Sequence, residues 1–515
     1  MDCPGENSEN SLVFIPFLLD FHEKHIPSEA LKHTLEPNIR NKMSFKRRSL
    51  AITCAITSSI VLAGISGTAA AQSSYVSGSS GLLSSSELHP ETPAPLDAPK
   101  NIIYMIGDGM GYNHVSATNL FETGQTMHQV EGEPGSVTPV EGGTPVQAFE
   151  GAEWTQLAQS TFQDGNSYDP ERAWADHNYV NENFTDSAAA GTAMATGVKT
   201  TNGMIGVNPA NEPAKNTSEY AIEKGKAAGV VSSVPFNHAT PAAWAAHNSN
   251  RNDLHAMAEE MINSDLNVIM GAGHPFFDNN GNPITEADED YMQASQYERL
   301  ASGETDFTFV EEDADFEALA NGQVESDKYF GLAQVEDPLQ HDRDGDSVTP
   351  YDVPLNDVVD LSTMSKAALN VLNQDEDGFH IMIEGGAIDW AGHANDMARD
   401  IEEVQEFNKS VETVIEWVET NSSWDETLVI VTADHETGYM TGPNDDPNWS
   451  AMTGAAGIVP NHGWHSGNHT NQLVPVFVRG AGVSDIVAAA DQVDPIRGNY
   501  IDNIEIANLT FNKWW

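Results

Sequence analysis

Acidic and histidine side chains recur directly after short apolar runs of this chain. The groups are Asp108 after residues 101–106, Glu384 with Asp389 and His393 after 379–383, and Asp434 with His435 after 427–431. The i, i+4 spacing of Asp389 and His393 places both side chains on one face of a helical turn. Mixed Asp/His sets suit zinc and leave a position open for catalysis. Asp108, Glu384 and the Thr240 hydroxyl are oxygen ligands, which suit magnesium. These patterns predict a site for divalent metals.

A candidate nucleophile stands in the Ala-rich stretch 184–197. Asp186 and Ser187 are typical of the first positions of a helix, with good helix formers over 188–195 and a stop at Gly197. A hydroxyl at a helix N-terminus lies beside free N–H groups and the positive end of the helix dipole. That environment favours an incoming anion.

Each of these residues also has an ordinary structural interpretation. The 186–187 pair could simply cap a helix, and Asp108 could occupy a surface turn. His469 could be a loop histidine, as could His462 and His465. The functional interpretation depends on all the clusters falling at predicted strand ends, where open α/β sheets place their sites.

Strands alternate with helices over residues 99–515, which we interpret as one catalytic domain. The alternation predicts an α/β fold, a three-layer sandwich with a largely parallel central sheet. The predicted strands are 101–106, 230–234, 268–270, 379–383, 427–431 and 474–478. The predicted helices are 187–195, 242–247, a second ending near 262, 361–372, and a long one ending near 418.

Two stretches interrupt this alternation. Residues 125–180 look irregular and polar, and acidic residues accumulate over about 275–354, which we interpret as an insertion. Within it, residues 342–346 resemble half of a calcium-binding loop. The downstream Glu of such a loop is missing, so we favour an acidic loop without calcium.

The N-terminal region predicts export. Three basic residues at 46–48 precede an apolar run over 50–65, and Ala69 to Ala71 fit a cleavage site. We interpret residues 43–71 as a secretory signal peptide of a periplasmic or extracellular protein. The alternative is a retained anchor helix, but the apolar run is shorter than the ~20 residues that span a bilayer. We therefore expect no membrane association.

The flanking segments complete the predicted organisation. Residues 1–42 are interpreted as an upstream extension, and 72–98, rich in Ser, Gly and Pro, as a flexible linker. Both cysteines, Cys3 and Cys54, precede the predicted cleavage point. The mature chain would then have neither disulfides nor thiolate chemistry.

The chain carries a formal net charge of −54, and residues 72–515 carry all of it, because the first 71 residues hold as many basic as acidic side chains. Nucleic acid and anionic membranes are poor partners for such a surface. The apolar fraction and ten Trp argue for a packed core and against an acidic disordered protein. We hypothesise adaptation to high salt, in which counterions screen the self-repulsion.

As a set, these motifs resemble the alkaline phosphatase family. The matching stretches are Gly107 to Gly111, Thr185 to Ala188, His238 to Pro241 with Arg251, Glu384 to His393, Thr432 to Glu436, and His469 with Thr470. They lie in the family's order over residues 99–480. The resemblance implies hydrolysis of phosphate monoesters at alkaline pH, and, as an expectation, a homodimer.

The resemblance also implies roles for individual residues. Ser187 would be the nucleophile that becomes phosphorylated, and Arg251 would clamp two phosphate oxygens. One zinc would be held by Asp389, His393 and His469, a second by Asp108, Asp434 and His435, and one magnesium by Asp108, Thr240 and Glu384. The two zinc ions would lie ~4 Å apart, on the attacking and leaving oxygens.

Two positions depart from the enterobacterial pattern of that family. His238 stands where that pattern has Asp, close to the third metal, and Trp390 stands where it has Lys, close to the phosphate. A neutral His supplies less charge to the third metal, and the missing Lys should weaken binding of product phosphate.

Three other functions remain in competition. A sulfatase would need a modifiable Cys or Ser in a C/S-x-P-x-R setting, whereas Ser187 is followed by three Ala. A phosphodiesterase of the same superfamily would generally lack Thr240, Glu384 and Arg251. A non-catalytic metal-binding surface protein would explain the acidity, but not a Ser at a helix start between two zinc-type ligand sets.

Overall fold

The computed structural model describes residues 98–443 and 446–515. The predicted extension, signal peptide and linker up to residue 97 lie outside the described residues and stay predictions. Within the described ranges, no helix combines the length and apolarity needed to cross a bilayer.

A mixed eleven-stranded sheet forms the centre of the described chain. The strands in chain order are β1 (Asn101–Gly107), β2 (Val130–Glu131), β3 (Thr138–Pro139), β4 (Thr155–Ser160), β5 (Ala227–Pro235), β6 (Val268–Ala272), β7 (Thr308–Val310), β8 (Tyr329–Leu332), β9 (Phe379–Gly385), β10 (Thr427–Thr432), β11 (Glu436–Thr437), β12 (Met440–Thr441), β13 (Gly463–Trp464), β14 (His469–Thr470), β15 (Val474–Gly480), β16 (Gln492–Asp494) and β17 (Gly498–Asp502). The sheet order is β16-β17-β4-β15-β10-β1-β9-β5-β6-β8-β7. All pairs from β10 to β7 are parallel, and β15 is antiparallel to both its neighbours. The prediction of a largely parallel sheet is confirmed.

Helices cover both faces of this sheet. In chain order they are α1 (Tyr112–Thr123), α2 (Pro170–Ala175), α3 (Ser187–Thr196), α4 (Thr217–Glu223), α5 (Ala239–Ala243), α6 (Leu254–Ile262), α7 (Ala294–Ala301), α8 (Asp313–Ala320), α9 (Leu361–Leu372), α10 (Ala387–Ala394), α11 (Met397–Asn421), α12 (Val483–Ala489) and α13 (Glu505–Leu509). Strand β1 shows the layering, because successive side chains of a strand point to opposite faces. Ile103 and Met105 pack with α9 and α11, whereas Ile102 and Tyr104 pack with α5 and α6. The three-layer sandwich is confirmed.

Two local predictions are wrong. Residues 125–180 contain a strand of the central sheet, β4, whose sequence is mostly polar and lacks an apolar run or alternation. It pairs with β15 on one side and β17 on the other, and its second half, Ala158 to Ser160, is buried. The helix expected at 242–247 is α5, which begins earlier, at Ala239. Pro241 lies in its first turn, where a missing N–H costs nothing.

The acidic segment 275–354 contributes to the central sheet. It contains α7, β7, α8 and β8, and β8 pairs in parallel with β6 and β7 at one sheet edge. Its interpretation as an insertion stays a prediction.

Candidate active site

The carboxyl ends of four neighbouring parallel strands bring the acidic clusters together. In the register of the sheet, Gly107 of β1 lies opposite Gly385 of β9, and Ile106 lies opposite Thr432 of β10. Asp108, Glu384 and Asp434 therefore meet at one edge, each with 0% of its surface exposed. Strand β5 ends beside them and leads into α5.

The turn after β1 requires glycine. Gly109 has a φ of +75°, and a Cβ there would lie 2.7 Å from the Cα of Asp389. Its N–H donates to Asp434 Oδ1 (3.2 Å), so this turn joins the ligand clusters of two strands.

Ser187 is the first residue of α3, as predicted. Asp186 caps the helix and accepts a hydrogen bond from the Ala189 N–H (2.9 Å). Gly197 ends the helix with a φ of 70°, in the left-handed region. The hydroxyl of Ser187 is buried, 3.2 Å from His435 Nε2. The predicted nucleophile thus faces the metal-type ligands.

The first predicted zinc set is assembled. His469 Nε2 lies 3.0 Å from His393 Nε2 and 3.3 Å from Asp389 Oδ1. His393 Nε2 lies 3.4 Å from Asp389 Oδ2 across one turn of α10, as the i, i+4 spacing predicted. His435 stacks on His469 with 3.6 Å between ring centroids, so it borders this set as well.

The second predicted zinc set lies beside the first. His435 Nε2 is 3.1 Å from Asp434 Oδ2 and 3.5 Å from Asp108 Oδ1. Those two carboxylate oxygens are buried and accept no hydrogen bond from any described residue. Buried polar atoms without partners are rare, and a cation between them would satisfy both.

The predicted magnesium set consists of oxygen atoms only. The Thr240 hydroxyl donates to Asp108 Oδ2 (3.2 Å), and Ser232 donates to Glu384 Oε2. Glu384 Oε1 is buried without a hydrogen-bond partner among the described residues. This donor chemistry fits a hard cation.

Hydrogen bonds at Nδ1 of two histidines fix the tautomer that a metal ion requires. His469 Nδ1 lies 2.8 Å from the carbonyl of Thr185, and His393 Nδ1 lies 2.9 Å from that of Gly467. A carbonyl only accepts, so each Nδ1 carries the proton and each Nε2 presents a lone pair. Both free lone pairs point at the same space.

The pKa values reflect charges packed together without water. Burial, strengthened by neighbouring carboxylates, raises the pKa of Asp108 well above its ordinary range. Burial also raises the pKa of Glu384 to about 8 and that of Asp434 to about 6. For Asp389, burial acts in the same direction, but His469 and the other imidazoles outweigh it and lower the pKa. A bound cation would favour the charged form of all these carboxylates.

Arg251 lies beside the nucleophile, held by a residue whose role the sequence analysis missed. Its Nη1 donates to Asp186 Oδ2 (3.1 Å), which also accepts from the Gly203 N–H (2.8 Å). Asp186 is therefore both the helix cap of Ser187 and the support of Arg251.

His238 and Trp390 lie in ring contact, with centroids 5.6 Å apart and planes at 72°. Burial lowers the pKa of His238 to about 3, so the imidazole is neutral, and its Nδ1 accepts no hydrogen bond from the described residues. The two departures from the enterobacterial pattern are therefore neighbours.

Thr437 is a second residue that the sequence analysis missed. Its hydroxyl donates to Asp389 Oδ1 and lies 3.3 Å from His435 Nδ1. It thus touches one member of each predicted zinc set from outside. The sequence signal that could have identified Thr437 was its position in the stretch Thr432 to Gly438, two residues after His435.

Comparisons with known proteins identify the family of the chain. The family model described as alkaline phosphatase matches residues 149–458, more than half of the chain. Alkaline phosphatase 3 of Bacillus subtilis (strain 168) is 31% identical over 361 residues, which is 68% of this chain and 64% of that relative. Alkaline phosphatase 4 of the same strain is 32% identical over 347 residues, 65% of this chain and 68% of the relative. The chain thus spans about two thirds of the length of these relatives.

Solved structures show the same fold. The cold-active alkaline phosphatase of a psychrophilic Shewanella sp. aligns with a TM-score of 0.57 at 24% identity, over 81% of this chain and all of that one. The alkaline phosphatase of the Antarctic bacterium TAB5 aligns at 0.56 and 24% over 82% and 99%. A histidine-to-aspartate variant of it was solved with Mg bound in the M3 site. With the family model covering more than half of the chain and two relatives above 30% identity, this chain belongs to the alkaline phosphatase family.

Proposed function

We propose that this protein is a metal-dependent phosphomonoesterase that acts at alkaline pH through a phosphoserine on Ser187. One observation carries the proposal: the Ser187 hydroxyl, at the N-terminus of α3, lies 3.2 Å from His435 Nε2, where the two zinc-type ligand sets adjoin. A serine hydroxyl is a weak nucleophile until a neighbour lowers its pKa, and this placement supplies such neighbours.

The described side chains would hold three metals. Asp389, His393 and His469 would hold one zinc ion, Asp108, Asp434 and His435 a second, and Asp108, Thr240 and Glu384 a magnesium ion. When bound, these ions would supply positive charge for the attacking and leaving oxygens. Magnesium is supported by the oxygen-only donor set and by the Mg reported in the TAB5 variant.

The protein's own residues would carry out the transfer. Ser187 Oγ attacks the phosphorus and its hydroxyl proton passes to solvent, the ester P–O bond breaks, and the alcohol leaves with a proton from solvent. Arg251, braced by Asp186, binds two phosphate oxygens through its planar guanidinium. Water then cleaves the phosphoserine, which releases phosphate and restores the hydroxyl. Positioning and charge neutralisation dominate such transfers.

A rate comparison tests the reaction class. We expect the zinc- and magnesium-loaded protein to hydrolyse an aryl phosphomonoester much faster than the matching phosphodiester. An acid quench during turnover followed by peptide mass spectrometry should find phosphate on Ser187. A preference for the diester would instead support the phosphodiesterase alternative, and steady turnover without a phosphorylated Ser187 would reject the proposed mechanism.

We further propose that the protein is exported, acts outside the cytoplasm in high salt, and forms a homodimer. The signal-like residues 43–71 support export and the charge of −54 supports action in high salt, whereas the homodimer follows from the family resemblance alone. The melting temperature of the metal-loaded protein should rise with sodium chloride up to molar concentrations, because counterions screen the acidic surface. A flat or falling curve would reject salt adaptation, and light scattering reads the oligomeric state.

A further inference from the structure

One side chain holds together the acidic loop 340–354, which we name the Arg343 loop. Arg343 is buried, and its guanidinium donates to the carbonyls of Gln340 (2.7 Å), Val353 (3.2 Å) and Pro354 (3.0 Å). The two ends of the loop are thus tied to one residue. The calcium-like pattern of acids surrounds an arginine that binds backbone.

A buried ion network fixes the Arg343 loop to α11. Glu402, 3% exposed, lies 2.5 Å from Arg343 Nη2 and 3.2 Å from Arg399 Nη1. Arg399 also donates to the carbonyl of Gly345 (3.1 Å), and Glu402 accepts from the N–H of Tyr351. Buried pairs of this kind are costly to break, because the remaining charge loses its partner. The loop is therefore rigidly placed next to the helix that follows α10.

The loop presents His341 to Trp390. The two rings meet edge to face, with centroids 6.4 Å apart and planes at 87°. His341 Nδ1 lies 2.5 Å from Asp342 Oδ1, which fixes the rotation of the imidazole. Its Nε2 is buried without a hydrogen-bond partner in the described part of the chain. The ring of His341 thus packs against Trp390, while its Nδ1 is paired with Asp342.

Trp390 needs such a support. It follows Asp389 directly on α10, and its side chain is only half-buried, so α10 alone leaves it a choice of rotamers. His238 contacts it from the strand-end side of the site, and His341 contacts it from the acidic segment. An edge-to-face pair contributes enough to select one rotamer.

We propose that His341 is a positioning residue, which fixes Trp390 beside Asp389 and His238 and is itself held in place by the Arg343–Glu402–Arg399 network. This inference rests on the proposed phosphomonoesterase function for its effect on phosphate, and on the ring geometry alone for its effect on Trp390. It gives the acidic segment a role in the site.

A double-mutant cycle tests the coupling. We would measure the Kd of inorganic phosphate by calorimetry, and KM and kcat for a phosphomonoester, in His341→Ala, Trp390→Ala and the double variant. His341→Ala should change the phosphate Kd and KM by about two- to tenfold, the scale of one aromatic pair. In the Trp390→Ala background the same change should have no further effect. His341→Phe, which keeps a ring edge, should restore values near wild type.

A spectroscopic measurement separates positioning from activity. Subtracting the fluorescence of Trp390→Phe from that of the wild type isolates the emission of Trp390. The same subtraction in the His341→Ala background should give a component shifted to longer wavelength, as the ring becomes more exposed. Asp344→Asn, an exposed residue of the same loop, should change neither spectrum nor Kd.

The possible results distinguish the positioning role of His341 from the proposed phosphomonoesterase function. An unchanged Trp390 component in His341→Ala, or equal changes of phosphate Kd in both backgrounds, would overturn the positioning role. Equal zinc content and melting temperature in all variants show that the fold is kept. If the wild type hydrolyses no phosphomonoester, the proposed function fails, while the fluorescence result still decides whether His341 orients Trp390.

Discussion

Two regions of the active site are built by different means. The ligand edge, by which we mean Asp108, Glu384, Asp434 and His435, lies at the ends of central strands and is fully buried. The rim, by which we mean Trp390 and His341, lies on a short helix and a loop, and both side chains are only half-buried. Sheet register fixes the first region, and side-chain packing fixes the second.

We expect the two regions to contribute differently to activity. Convergent buried carboxylates repel one another unless a cation joins them, so the ligand edge functions only as a whole. In the half-exposed aromatic rim, a single residue can be substituted without leaving a buried charge unpaired. We therefore expect substitutions at the ligand edge to abolish activity and substitutions at the rim to tune affinity.

Ser187→Ala gives the largest expected effect. The hydroxyl that accepts the phosphoryl group is removed, so kcat for a phosphomonoester should fall by about a thousandfold or more. The ligand sets remain, so the zinc content by atomic emission should match the wild type. Loss of zinc together with activity would show that Ser187 supports the ligand edge and would undermine its role as nucleophile.

Metal removal should make stability depend on pH. In the metal-free protein, burial raises the pKa of Glu384 to about 8 and that of Asp434 to about 6, both above the ordinary values of about 4. The folded state then keeps protons that the unfolded chain releases. The stability from these protons is present below about pH 4 and is lost as pH rises through about 6 and about 8. The melting temperature of chelator-treated protein should therefore fall over this range.

The metal-loaded protein provides the comparison. Bound cations keep the same carboxylates charged in the folded state, so its melting temperature should change less over that range. Burial raises the pKa of Glu436 to about 7. This group makes the melting temperature of both forms fall with rising pH, and Glu436→Gln removes its contribution. Parallel curves with and without metal would contradict the assignment of Glu384 and Asp434 as ligands.

The same comparison explains which parts of the fold and the site can be predicted from the sequence. Strand ends carry a local signal, an apolar run followed by Gly or Asp, so Asp108 and Asp434 could be placed from the sequence. Strand β4 gives no such signal, because its two apolar residues, Leu157 and Ala158, are flanked by glutamines and its partner strands lie more than 300 residues away. Its place in the sheet is a tertiary property.

The rim was less predictable for a related reason. Trp390 could be singled out by resemblance, but the contact of His341 depends on an ion pair between Arg343 and Glu402, 59 positions apart. The sequence 342–346 carries a calcium-like pattern, and nothing local shows that its arginine would turn inward. Long-range pairing of buried charges has no short-range signature.

Thr437→Val tests the boundary between the two regions. The change keeps the volume of the side chain but removes the hydroxyl that donates to Asp389. Partners of metal ligands typically change affinity by about 10- to 100-fold, so zinc affinity measured by competition with a chelator should fall on that scale. Thr432→Val is the matched control, because that hydroxyl donates to the Pro475 carbonyl within the sheet. Equal losses in both variants would mean that the fold is being weakened.

Trp390→Lys should give the smallest of these effects, and it changes the rim alone. An ammonium at this position can donate a charge-assisted hydrogen bond to phosphate, so the inhibition constant of inorganic phosphate should fall by about tenfold. Slower release of product should lower kcat, whereas zinc content should stay unchanged because the ligand edge is untouched. Trp390→Phe is the neutral control and should not tighten phosphate binding. An unchanged inhibition constant in Trp390→Lys would place Trp390 out of reach of the phosphate.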